Sequence, residues 1–94
     1  MILEYAKVRS EAFSPDRANP SDAGLDVFYT PPSTDWSGII IPSLETRIIP
    51  TGLRFGVPHG YMLEVKNRSS MAAKRHLLVG ACVVDAGYDG ELFV

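Results

Sequence analysis

The chain has 94 residues, enough to close one hydrophobic core, so a single domain over residues 1–94 is expected and a two-domain enzyme is excluded. With 46% hydrophobic and 21% charged residues it has the make-up of a folded globular domain, not of a disordered or fibrous chain. A net charge of −2 lacks the basic footprint of general nucleic-acid binding, and a single cysteine, Cys82, excludes an internal disulfide and a cysteine-cluster metal site.

Proline and glycine interrupt the sequence at short intervals, and the segments between them are rich in β-branched and aromatic residues, the pattern of an all-β barrel or sandwich. In chain order, strands are predicted over residues 2–8, 25–29, 38–41 and 46–49, with loops over 13–21 and 30–37. Period-two alternation is clearest in Leu53-Arg54-Phe55-Gly56-Val57 and Tyr61-Met62-Leu63-Glu64-Val65-Lys66. Pro58-His59-Gly60 between them predicts a hairpin. Residues 70–75 have helical composition over about two turns, too short to stand alone, and read as a helical turn between strands. Strands over 77–84 and 91–94 complete the set, the last leaving a turn with no polar tail or stop signal. No apolar run reaches the roughly 20 residues of a membrane span, and Met1-Ile2-Leu3-Glu4 lacks the features of a signal peptide. A cytoplasmic protein with neither a membrane nor a nucleic-acid partner is expected.

Three segments carry possible chemistry. In Ser21-Asp22-Ala23-Gly24-Leu25-Asp26-Val27-Phe28 a polar loop meets a predicted strand, and Asp26 alternates with Leu25 and Val27, so it is expected on the opposite face. A carboxylate there suits Mg²⁺, directly or through its water shell, or simply a strand-edge hydrogen bond. Residues 66–75 hold Lys66, Arg68, Lys74 and Arg75 with Asn67, Ser69 and Ser70 and no acidic residue, which suits either an anion such as phosphate or a solvated basic turn. In Val83-Val84-Asp85-Ala86-Gly87-Tyr88-Asp89-Gly90-Glu91 an apolar strand enters a glycine-containing turn. Asp85 at the strand end is placed to act as a base towards water, and Tyr88 to pack on a ring-shaped ligand; ordinary turn residues fit the same pattern. His59 in its turn and His76 at an expected strand start lack ligand spacing, Cys82 reads as a small buried hydrophobe, and Trp36 as a loop residue covering a barrel end or subunit contact.

Taken together and in this order, these segments resemble the trimeric all-β dUTPase family. Ala23-Gly24-Leu25-Asp26 resembles its first motif, Arg68-Ser69-Ser70-Met71-Ala72 its second and Val84-Asp85-Ala86-Gly87-Tyr88-Asp89-Gly90-Glu91 its third. The resemblance implies a jelly-roll-like β-barrel, a homotrimer with interfacial sites, and Mg²⁺-dependent hydrolysis of dUTP to dUMP and pyrophosphate. It implies that Asp85 deprotonates the water attacking the α-phosphorus and that Tyr88 packs under the deoxyribose. The hairpin backbone around Val84 and Gly87 would read the uracil edge. Arg68, Ser69 and Ser70 would hold the phosphates, and Asp26 would position hydrated Mg²⁺ through water. Backbone reading of uracil is chemically sensible, because cytosine exchanges an acceptor for a donor on the same edge.

Asn67, Ser70 and Asp89 depart from the family's commonest residues, Asp89 standing where a basic residue is usual. The family's glutamine-bearing fourth motif and glycine-rich fifth motif are absent, so a C-terminally truncated, incomplete barrel is expected, with weak nucleotide binding and little turnover. Its final segment, residues 91–94, is expected to be an unpaired strand that leaves the chain marginally stable or prone to associate. Two alternatives are a dCTP deaminase-type relative, which shares the barrel, and a non-catalytic oligomerisation or regulatory module.

Overall fold

A computed structural model describes residues 2–32, 38–80 and 83–94. Its elements are β1 (Glu4–Lys7), β2 (Leu53–Gly56), β3 (Met62–Glu64), α1 (Ser69–Arg75) and β4 (Val83–Asp85). The expected all-β class with one short helix holds, and the described strands form an incomplete arrangement: two two-stranded antiparallel sheets, β1-β2 and β3-β4, with no closed barrel among the described residues. Trp36 and Cys82 lie outside the described residues.

The core forms where the two sheets and the last residues of the chain meet. Ala12, Leu53, Phe55, Val57, Val84 and Leu92 are buried there, with Leu3, Val27, Leu63 and Val65 packed against them. β2 shows how the sequence builds this core. Leu53 and Phe55 are buried while Arg54 and Gly56 face outward, as the two-residue period of a strand dictates. Thr51, 1% exposed, is tolerated inside because its hydroxyl donates to Leu92 O at 2.7 Å and accepts from Leu53 N–H at 3.2 Å. Gly52 adopts φ +71° and its carbonyl accepts from Val8 N–H at 2.7 Å. A Cβ on Gly52 would lie 2.7 Å from Ala12 Cβ, so no larger residue fits between these segments.

Several expectations are corrected. β2 and β3 do not form a hairpin. β2 pairs with β1, in a register that sets Tyr5 opposite Phe55, and β3 pairs with β4, setting Leu63 opposite Val84. Pro58-His59-Gly60 is instead a corner: Tyr61 N–H donates to Pro58 O at 3.0 Å and Gly60 takes φ +88°, the positive value a type II turn needs at this position. Alternation marked both strands correctly, but a turn this short serves a change of sheet as well as a hairpin. Residues 25–29 and 46–49 are not strands, because each finds only one point of pairing. Asp26 makes an isolated bridge with Asp16, and Ile49 exchanges hydrogen bonds with Val94. Residues 38–41 form no strand either. Leu25 is 42% exposed whereas Asp26 and Val27 are both half-buried and Val27 packs against the core, so the expected alternation of Asp26 with Leu25 and Val27 is not kept. Of the described residues in the strand expected over 77–84, residues 77–80 form no strand while Val83 and Val84 lie in β4, which runs on to Asp85; residues 81 and 82 lie outside the described residues.

The final segment is paired rather than open. Leu92 N–H donates to Leu53 O at 2.7 Å, Thr51 N–H donates to Leu92 O at 3.3 Å, and Ile49 and Val94 exchange bonds of 2.7 and 2.9 Å. Pro50 stands opposite Phe93, between the hydrogen-bonded pairs, where its missing N–H leaves no gap in the ladder. The expected helical turn starts one residue early, at Ser69. His76 is not a strand residue but the left-handed cap that ends α1 (φ 56°, ψ 33°), with Leu77 N–H folding back to Met71 O at 3.3 Å.

Candidate active site

Two groups of the expected site residues come together separately. The first joins the loop before Val27 to the start of α1. Arg68 is the extended residue preceding the helix (φ −75°, ψ 131°), and its Nη1 lies 3.6 Å from Asp26 Oδ2. Residues more than forty positions apart in sequence are thus brought into one mixed-charge contact. Ser69 and Ser70 open α1 and are exposed, and neither hydroxyl has a hydrogen-bond partner among the described residues. The helix is seven residues long, buries no side chain and has no side-chain N-cap. Local contacts hold it: the Arg68 pair at its start, the His76 cap at its end, and across its base Asn67 Oδ1, which accepts from Val79 N–H at 2.6 Å. A partly exposed ion pair of this kind contributes little stability.

The second group is built on β4 and the turn after it. Val84 is buried against Leu63, which fixes the strand, and Asp85 at its end is exposed opposite Met62. The Asp85 carbonyl accepts from Tyr88 N–H at 3.0 Å and closes the turn. Its carboxylate has no hydrogen bond or ion pair among the described residues. Tyr88 folds back across the turn and donates from Oη to Glu91 O at 2.6 Å. Asp85 and Tyr88, with Val83, Glu91, Leu92 and Phe93, line an open cleft of about 230 Å³. Gly87 is exposed, and a side chain there would meet nothing within 4 Å. The glycine that matters sterically is Gly90, where a Cβ would stand 2.5 Å from Tyr88 Oη.

Sequence reading did not give the partners of three residues here. Glu91 forms an ion pair of 2.5 Å with Arg9 of the segment after β1, both side chains mostly buried. Asp89, which by charge alone adds negative potential beside the turn, is 3.3 Å from Arg54 of β2. Asn67 serves as the clasp beneath α1. All are partnerships across long sequence separations between individually ordinary residues, and nothing in their spacing signals them. Among the described residues no hydrogen bond or ion pair joins the Asp26–Arg68 group to the Asp85–Tyr88 group, no cluster of three or more potential metal-ligating side chains occurs, and no helix is long and apolar enough to cross a membrane.

The dUTPase family model matches residues 10–94. A deoxyuridine 5'-triphosphate nucleotidohydrolase of Gloeobacter violaceus is 40% identical over 84 residues, covering 85% of this chain and 53% of its own length. The mitochondrial protein of that name from Homo sapiens is 32% identical over 94 residues, covering all of this chain and 35% of the human protein. Among solved structures, a mutant dUTPase from phage phi11 of S. aureus, described for its coordination of a structural Mg(II) ion, superposes with a TM-score of 0.85 at 28% identity, over 99% of this chain and 57% of the phage protein. A mutant dUTPase of Staphylococcus bacteriophage 80alpha, solved with dUpNHpp, superposes at 0.84 with 27% identity over 98% and 56%. The chain spans about half the length of most of these relatives.

Proposed function

We propose, since this chain belongs to the dUTPase family, that it supplies the water-activating and phosphate-holding residues of a dUTP diphosphatase, an enzyme that cleaves dUTP to dUMP and pyrophosphate. The observation that carries this reading is the Asp85 carboxylate: on a core-anchored strand, without a partner among the described residues, and sharing one cleft with Tyr88.

Asp85 accepts a proton from water as that water attacks the α-phosphorus, the bond to the bridging oxygen breaks, and pyrophosphate leaves. A base held on a rigid strand needs little reorganisation, and a positioned base of this type contributes about 10²–10⁴-fold in rate. Tyr88 packs against the deoxyribose and leaves no room for a 2′-hydroxyl. Val84, whose side chain is committed to the core, can contribute to uracil recognition only through its main chain, as can Gly87. Arg68, Ser69 and Ser70 hold the phosphates by charge and hydroxyl donation.

Mg²⁺ suits this donor set in one way only. Asp26 is a single half-buried carboxylate already near Arg68, so it fits a hydrated ion held through water rather than a dedicated protein cage. When bound, the ion would neutralise phosphate charge. The separation of the two groups favours a site assembled between copies, the phosphate segment of one facing the Asp85 cleft of another, as in a homotrimer. A substrate drawn from the nucleotide pool fits a cytoplasmic location.

The test is calorimetry with dUpNHpp and Mg²⁺, alongside assays of pyrophosphate release from dUTP and ammonia release from dCTP. Analogue binding that weakens by about tenfold in Arg68→Ala, with any pyrophosphate release abolished in Asp85→Asn, is expected. Ammonia from dCTP would establish a deaminase. No binding heat would leave a non-catalytic module.

A further inference from the structure

Tyr88 is held by more than its own turn. Its Oη donates to Glu91 O at 2.6 Å, and its ring lies so close to Gly90 that a Cβ there would stand 2.6 Å from Cζ. The position of the phenol therefore depends on where the Glu91 carbonyl sits. That carbonyl is fixed from two directions. On one side, the next amide, Leu92 N–H, donates to Leu53 O of β2 at 2.7 Å. On the other, the Glu91 side chain, only 10% exposed, is ion-paired to Arg9 Nη1 at 2.5 Å. Arg9, 20% exposed, is itself fixed by donating from Nη2 to Thr30 O at 3.1 Å.

We propose that Arg9 and Glu91 form a positioning pair that locks Tyr88 into one pose and thereby sharpens discrimination between deoxyribose and ribose. The second half of this inference rests on the reading of Tyr88 given above. The first half does not. Removing Arg9 leaves a nearly buried carboxylate without its counter-ion, and the carboxylate then moves towards water, carrying its own carbonyl with it. The phenol loses its acceptor and the ring samples several rotamers. A loosely held ring tolerates an added hydroxyl that a fixed one excludes.

The experiment compares the chain with Arg9→Met, Arg9→Lys, Glu91→Gln and Tyr88→Phe. The ring signals of residue 88 are followed by NMR with selective labelling, and affinities are measured for dUpNHpp and its ribose counterpart. In Arg9→Met and Glu91→Gln the Tyr88 signals should shift towards those of free tyrosine, and the preference for the deoxy analogue should fall about tenfold. Arg9→Lys should retain most of both. Tyr88→Phe removes only a hydroxyl from a half-exposed side chain; it should show the same ring disorder, and adding Glu91→Gln to it should cost nothing further. Unchanged ring signals in folded Glu91→Gln, or a fixed ring in Tyr88→Phe, would overturn the pair's role. If the unsubstituted chain does not prefer the deoxy analogue, the assignment of Tyr88 to sugar recognition fails, while the ring signals still decide whether Arg9 and Glu91 position it.

Discussion

The β2 region and the α1 region are built on opposite terms. Around β2, residues 49–57 are held by buried side chains and by backbone bonds to both β1 and the last residues of the chain, so three segments are tied together there. Around α1, residues 67–79 bury no helix side chain and, among the described residues, are held by the Asn67 clasp, the partly exposed Arg68–Asp26 pair and the left-handed His76 cap. The contrast separates a scaffold stabilised by burial from a charged segment kept near its folded position by inexpensive contacts. Asp85 and Tyr88 sit on the scaffold side of that division, on and after the core-anchored β4, where the proposed base and sugar platform would be held rigidly. Arg68, Ser69 and Ser70 sit on the other, exposed to water, where the proposed phosphate-holding groups would stay hydrated until an anion binds.

The contrast predicts a graded series. Leu53→Ala, at a fully buried position, should cost about 2–5 kcal/mol, enough to unfold much of a small domain, as read by urea denaturation. A Leu53→Ala chain of unchanged midpoint would show that β2 is not the scaffold. Thr51→Val removes a buried hydroxyl that bonds both Leu92 O and Leu53 N–H, and should cost about 1–3 kcal/mol with faster exchange of the Leu53 amide. Asn67→Ala should leave the denaturation midpoint nearly unchanged, within about 1 kcal/mol, yet increase exchange of the Val79 amide and of the α1 amides. A large global loss there would erase the distinction between the two regions. The smallest effect is expected from Asp26→Asn, about 0.5 kcal/mol or less and weaker still at high salt, because the pair with Arg68 is partly exposed.

Much of the molecule was legible in local pattern. Alternation locates β2 and β3, composition locates α1 to within a residue, and the order of the Asp26, Arg68 and Asp85 segments points to the family. Pairing was not legible. Leu53 and Phe55 announce an inward face, but an inward face does not specify its neighbour, and the partner of β2 proved to be β1 rather than the adjacent β3. Residues 25–29 and 46–49 have strand composition, yet a strand exists only where a second edge completes its ladder, and each of these finds a single point of pairing. The candidate site divides in the same way. That Asp85 and Tyr88 fall close together follows from their shared turn, and they line one cleft, whereas the contacts of Glu91, Gly90 and Asn67 depend on Arg9, on the Tyr88 ring and on Val79.

The sequence by itself determined the class of the fold, the burial face of its best strands and the family, because these follow from side-chain chemistry repeated at fixed intervals. Only the tertiary structure decided which strands pair, that the last residues close onto β2, and that Arg9 reaches Glu91. Those outcomes depend on which distant groups satisfy one another's hydrogen bonds and charges once the chain is folded, and no local spacing encodes that choice.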